Sequence, residues 1–209
     1  MPKLRGHNLT VSVDGFAAGT GQRLEAPFGD GIDGLHTWMF DALRDRADGK
    51  KGVDIDWVER SERNIGATIM GRNMFGPQRG PWEDESWTGW WGDNPPFHHD
   101  VFVLTHHLRP SVAMAGGTTF HFTDEPVDTV LQRAFDAAGG RDVRVGGGAA
   151  TVQQYLRAGL IDELHLAVVP LLVGRGERLL DDVADAIRDY PVAETAASPA
   201  AVHTLLVRR

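Results

Sequence analysis

A chain of 209 residues with ordinary globular usage, 42% hydrophobic and 24% charged, is long enough to bury a substantial core and excludes a fibrous or disordered architecture. The formal net charge of -8, with basic residues scattered along the chain, excludes a surface built for polyanions, so no nucleic-acid partner is expected. The absence of cysteine removes disulfides, thiolate nucleophiles and thiolate-bound zinc.

In chain order, Leu4–Val13 alternates loosely, carries β-branched residues and stops at Asp14-Gly15, which predicts a first strand ending in a loop. The glycine-rich stretch 15–34 has no apolar period and predicts a long excursion over one face. Leu35, Met39 and Leu43 recur at helical spacing, predicting a helix over 33–47 with Asp33 as its N-cap and Gly49 as its stop. A more polar helix over 54–64 and a short buried strand, Ala67–Met70, follow. The segment from Pro77 to Pro96 holds Trp82, Trp87, Trp90 and Trp91 among acids and prolines, the composition of a packed loop.

Strands at 101–105 and 118–122 lead to an amphipathic helix over Val127–Ala138, with Val127, Val130, Leu131, Ala134 and Phe135 on one side. A strand starting at Asp142 runs into Gly146-Gly147-Gly148, a helix to about Ala158 and a strand over Leu164–Val169. Two runs, Pro191–Thr195 and Ala201–Val207, predict a closing antiparallel pair. Strands alternating with helices imply an α/β protein, a single domain over 1–209 with a mixed central sheet covered on both faces. No apolar stretch reaches membrane-spanning length and the polar start lacks a signal-peptide core, so a cytoplasmic protein without a membrane partner is expected.

The chemistry gathers at strand ends. A strand that runs through Gly146, Gly147, Gly148, Ala149, Ala150 and Thr151 into a helix offers unpaired N–H groups and the positive end of a helix dipole, which suits phosphate. Glycine lets a pyrophosphate approach the backbone, although a tight turn without ligand has the same look, and the run is neither a GxGxxG fingerprint nor a P-loop. Gly71-Arg72-Asn73 ends the second buried strand with a guanidinium able to pair with phosphate bidentately, unless Arg72 is merely a solvated cation. Thr105 and His106 end a third strand with donors suited to the phosphate that distinguishes NADPH from NADH, unless they belong to an ordinary polar loop. Adjacent histidines at 98–99 and 106–107 point to opposite faces of a strand, so no metal is expected.

These residues, with Ser12-Val13-Asp14-Gly15-Phe16, Ile69-Met70, Gly159-Leu160-Ile161-Asp162-Glu163-Leu164 and Pro170–Gly176, resemble the dihydrofolate-reductase-like family that includes the reductase domain of riboflavin-biosynthesis deaminase-reductases. The resemblance implies a three-layer αβα fold with a central mixed β-sheet, and NADPH held at Gly71, Arg72, Asn73, Thr105, His106, Gly146, Gly147, Gly148, Ala149 and Thr151. It further implies hydride transfer to a small heterocyclic substrate, with reduction of a pterin or folate, or cofactor binding without turnover, as the alternatives. Asp14 stands where the family places an acidic residue beside nicotinamide and substrate, as an orienting group or proton relay, though Asp-Gly is also a common turn. Relatives that dimerise through sheet edges imply a homodimer. The family's deaminase signature, H-x-E followed by P-C-x-x-C, requires cysteines this chain lacks, which excludes deamination. Asp162 and Glu163 are expected to pair or cap, and Gly174–Gly176 to form a hairpin connection.

Overall fold

The computed structural model describes residues 1–209. In chain order, β1 (Leu4–Ser12) and β2 (Phe16–Ala18) lead to α1 (Thr37–Ala47) and α2 (Val53–Glu62), and β3 (Ile65–Gly71) runs straight into one turn of helix, α3 (Arg72–Phe75). Next come β4 (Asp100–Leu104), β5 (Val112–Ala113), β6 (Thr119–Thr123) and α4 (Val127–Ala138), then β7 (Asp142–Val145), α5 (Ala149–Arg157) and β8 (Glu163–Val169). The chain closes with β9 (Glu177–Arg178), β10 (Val192–Ala197) and β11 (Val202–Val207).

Nine strands form one sheet in the order β10-β11-β8-β1-β7-β3-β4-β6-β5, while β2 pairs with β9 beside it. The strands from β8 to β6 run parallel, and β5, β10 and β11 are antiparallel edges, so the sheet is mixed as expected. No helix is long and apolar enough to cross a membrane.

One face of the sheet is sealed by α4 and α5. The stripe Val130, Leu131, Ala134 and Ala138 and the helix side Val152, Tyr155 and Leu156 pack on Ile69, Phe102, Val143 and Val145 in the largest core cluster. Each fully buried Leu or Val there contributes roughly 1.5–3 kcal/mol of transfer free energy. Gly139, in the left-handed region at φ +59°, stops α4 at its last apolar residue.

The opposite face is divided. Over β1, β8 and β11 lie α1 and α2, through Trp38, Ala42, Ile55 and Val58. Over β3, β4 and β6 there is no long helix: α3 and the tryptophan loop 77–96 cover Met70, Val101, Val103 and Phe120, with Phe75 and Phe97 between. The aromatic loop thus forms a core layer of its own, with Trp91 against Phe97 and Trp82 against Phe75 and Phe122.

Some expectations are corrected. The first helix starts at Thr37 rather than near Asp33, and no side chain caps it; Gly34, at φ +90°, interrupts the helical path between Asp33 and Leu35. The stretch 15–34 contains β2 and is folded on itself by bridges between Thr20 and Asp30 and between Arg23 and Ala26. Gly174–Gly176 is no hairpin turn, because β8 and β9 do not pair; the segment crosses instead to bring β9 onto β2.

The half of the divided face beneath α2 is polar. In β1 the pairing with β8 shifts by one residue between Gly6 and Leu9, a bulge centred on Asn8 at φ +57°. The extra residue puts Arg5, His7 and Thr10 on the α2 side and Leu4, Leu9 and Val11 in the main core. The Asn8 N–H released from the ladder donates to His165 Nδ1 (3.0 Å), which fixes the tautomer: His165 donates from Nε2 to His203 Nδ1 (3.1 Å), and His203 Nε2 donates to Asp54 Oδ1 (2.7 Å). Trp57 of α2 stacks flat on His165 with ring centroids 4.1 Å apart. Burial pushes the His165 imidazole down to about 2.

Candidate functional site

The carboxyl ends of β7, β3, β4 and β6 lie side by side, and a cleft of about 410 Å³ opens above them. Position and size suit a small-molecule site outside the ends of parallel strands. Of the residues singled out from sequence, Gly71, Arg72, Asn73, Thr105, His106, Gly148 and Thr151 line it; Gly146, Gly147, Ala149 and Asp14 do not.

The glycine turn divides by function. A Cβ on Gly146 would meet Met74 Sδ at 2.8 Å, so that glycine makes room for the protein's own core, a correction to its reading as a ligand position. Gly71 is glycine for the same kind of reason, since a Cβ there would collide with Thr151 Oγ1 and hold α5 away from β3. Ala149 is buried in the main core. At Gly147 and Gly148 a Cβ would find only ordinary contacts, 3.7 Å or longer, and neither residue has a positive φ. The peptide bond joining them is cis. Gly147 O accepts from Gly71 N (2.8 Å), tying the turn to β3, and Gly148 O accepts from Thr151 N and Val152 N. The N–H groups of residues 147 to 150 find no protein acceptor. Four successive free donors at the start of α5 form an anion cradle reinforced by the helix dipole.

At the β3 end, Arg72 donates from Nη1 to Gly80 O and lies over the Trp82 ring, 3.7 Å from its centroid. Its Nε and Nη2 are buried with no hydrogen-bond partner. Burial, with Arg79 and Arg109 nearby, lowers its pKa from the ordinary value. Arg79 and Gly80 also line the cleft.

At the β4 end, Thr105 Oγ1 accepts from His107 N (3.1 Å), closing a small turn that sets His106 and His107 at the cleft wall. Trp82 Nε1 donates to His107 O (2.6 Å). The neighbouring β6 end adds Thr123, Asp124 and Glu125, and Glu125 is occupied by Thr123 (2.8 Å) and Arg133. The same strand-end reasoning applied to β6 would have found these residues. Glu177, brought in by β9, and Arg79, in an irregular loop, had no such signal.

Asp14 acts within the protein. Its carboxylate accepts from Ser12 Oγ (2.6 Å), Val173 N (3.1 Å) and Gly174 N (2.7 Å), fastening the loop after β1 to the loop after β8. These hydrogen bonds, that from Ser12 foremost, hold it down at about 2, so at neutral pH it is a carboxylate. Gly15, at φ +85° with its N–H on Ser12 O, makes the turn. Asp162 and Glu163 pair as expected: Asp162 accepts from Leu4 N and Arg208, and Glu163 meets Lys3, Arg5 and His7. No group of three or more histidine, aspartate or glutamate residues is placed to hold a metal.

The sequence model of the RibD C-terminal domain matches residues 7–189. Among curated proteins none matches the sequence. In fold, the whole chain aligns with a protein from Shewanella sp. PV-4 described as a riboflavin biosynthesis protein (TM-score 0.63, 19% identity, 99% of that chain covered). It also aligns with a pyrimidine reductase-like protein from Corynebacterium diphtheriae (0.56, 13%, 92%). A third match is a diaminohydroxyphosphoribosylaminopyrimidine deaminase/reductase from Thermotoga maritima (0.59, 13%), of which it spans 57%. At these identities the structural likeness is one of fold.

Proposed function

The chain belongs to the RibD C-terminal domain family, and on that premise we propose that it is an NADPH-dependent reductase of a small heterocyclic substrate, such as a phosphoribosylamino-pyrimidine. The observation that carries the reading is the row of free N–H donors at residues 147–150 opening α5, of which Gly148 and Ala150 line the cleft. The absence of steric need for glycine at 147 and 148 supports it, since nothing in the protein fills the space a side chain would take.

NADPH, when bound, supplies the hydride. The protein binds and orients. The amides that open α5 would hold a pyrophosphate with Thr151 beside it, and Arg72, Asn73, Thr105 and His106, which line the same cleft, would hold the adenosine side. Fixing both reactants in a cleft converts a bimolecular encounter into an oriented one, the main acceleration available where the cofactor provides the chemistry. Asp14 holds the loops after β1 and β8 in register at the reacting end. Its role is orientation, by the hydrogen bonds it already accepts.

Two measurements test this. Tryptophan fluorescence should show saturable energy transfer on NADPH titration; no response at millimolar NADPH would sink the reading. Oxidation of NADPH followed by absorbance, with pyrimidine, pterin and carbonyl substrates, should show turnover with the pyrimidine. Asp14→Asn keeps an acceptor oxygen and should retain turnover with an unchanged pH profile, whereas loss of one limb of that profile would restore a proton-transfer role. A reading as a non-catalytic NADPH-binding protein is favoured by one feature, the full engagement of Asp14 within the protein, and inactivity across the panel with intact binding would establish it. We also propose a homodimer joined through the exposed edge strand β10, which light scattering at several concentrations checks.

A further inference from the structure

Arg72 and Arg79 line one wall of the cleft with Arg109 close behind Arg72, and none of the three forms a salt bridge, although acidic residues outnumber basic ones in the chain as a whole. The guanidinium groups of Arg72 and Arg109 end on backbone oxygens, of Gly80 for the first and of Glu85 and Trp87 for the second. Carbonyls satisfy donors without neutralising charge, and Arg72 keeps its buried Nε and Nη2 unpaired. A guanidinium edge left free in this way suits a phosphate.

The side chain that organises this wall is Trp82, which lies outside the cleft lining. Its ring lies under the Arg72 guanidinium at 3.7 Å and within 5.0 Å of that of Arg109. Its N–H holds His107 O, the carbonyl that Thr105 Oγ1 also reaches at 3.2 Å. One indole therefore fixes both the cation at the β3 end and the polar turn at the β4 end. Arginine stacked on an indole gains cation–π attraction and loses rotamer freedom, so its charge is delivered at a fixed place.

We propose that Trp82 is a positioning residue for a ribose phosphomonoester: through Arg72 and the 105–107 turn it selects a dinucleotide carrying that additional phosphate over one without it. The proposal rests on the cofactor reading above and deepens it. The phosphate would sit beside the β3 and β4 ends, next along the sheet from the glycine turn that follows β7, as an adenosine ribose would when the pyrophosphate occupies that turn.

The test uses the intact chain and calorimetric titration with 2',5'-ADP and 5'-AMP, which differ by the phosphomonoester alone and undergo no turnover. Wild type should bind 2',5'-ADP at least tenfold more tightly. Trp82→Leu should remove most of that ratio, and Trp82→Phe, which keeps a ring but loses the N–H to His107, should remove part of it. Arg72→Met should cost as much as Trp82→Leu, and the double variant no more than either, because the tryptophan acts through the arginine. A general loosening of the fold would weaken both ligands alike and leave the ratio intact, and thermal melting of Trp82→Phe verifies that the comparison is made on folded protein. An unchanged ratio in folded Trp82→Leu, or additive losses in the double variant, would overturn the proposal. Equal binding of both nucleotides by wild type would overturn it too, while leaving the cofactor reading standing if NADPH binds. Failure of wild type to bind NADPH at all removes the cofactor reading and the proposal with it.

Discussion

The two halves of the divided sheet face both bury charge, and they treat it differently. Beneath α2, Arg5 meets Asp142 and Glu163, His7 meets Glu163, and the His165–His203 pair ends on Asp54. Beside the tryptophan loop, Arg72 and Arg109 have aromatic rings and carbonyls around them and no carboxylate in salt-bridge contact. A network whose cations meet carboxylates of the same chain is closed in charge and serves the fold. An open one keeps guanidinium donors unpaired, and its Arg72 lines the cleft.

The contrast can be broken most forcefully at Glu163. Glu163→Gln leaves His7, 4% exposed, without its carboxylate and Arg5, 6% exposed, with Asp142 alone. It should lower the unfolding free energy by about 3 kcal/mol in urea titration, as breaking a buried pair does. A loss below about 0.5 kcal/mol, the range of an ordinary surface change, would mean the network is not closed in the sense argued.

A smaller effect follows from pH. Burial holds His165 at about 2 and lowers His7 as well, against an ordinary imidazole value near 6.5. Above that value His165 is neutral in both folded and unfolded chains. Below it only the unfolded chain takes up the proton, so stability present above pH 6.5 is lost as pH falls toward the folded value. For His165 the loss amounts to about 2 kcal/mol by pH 5. Chemical denaturation at pH 7 and pH 5 measures it, and a His165→Leu variant should show a shallower slope. An equal slope in that variant would remove His165 from the explanation.

The smallest effect belongs to the open side. Arg72→Met relieves repulsion from Arg79 and Arg109 and should leave stability within about 0.5 kcal/mol of wild type, or raise it. A large destabilisation would show that the arginine wall, too, is structural.

Much of this architecture was legible from local pattern. The stripe from Val127 to Ala138 became α4 with the same bounds, and the strand, glycine turn and helix after Asp142 formed as a unit, because amphipathic period and glycine placement are local signals. Three cleft-lining strand ends were also legible, at 71–73, at 105–106 and at Gly148 with Thr151, since a strand followed by a turn residue declares where its polar groups emerge. What escaped depends on register. His7, His165 and His203 are far apart in sequence and meet because β1, β8 and β11 are neighbours; the adjacent pairs at 98–99 and 106–107 drew the eye instead. The triple glycine looked uniform, yet Gly146 answers to Met74 while Gly147 and Gly148 answer to no neighbour of their own chain. Only packing separates them.

The bulge at Asn8 gives β1 something like a reading frame. Side chains before and after it obey opposite parities, so a one-residue deletion there would transpose the remainder of the strand, sending Leu9 and Val11 among imidazoles and Thr10 into the aliphatic core. Substitutions along this strand are small edits; insertions and deletions are frameshifts. Just beyond the transposed segment Ser12 and Asp14 fasten the loop after β1 to the loop after β8, so a length change at Asn8 would be felt as a misplaced loop as well as loss of packing.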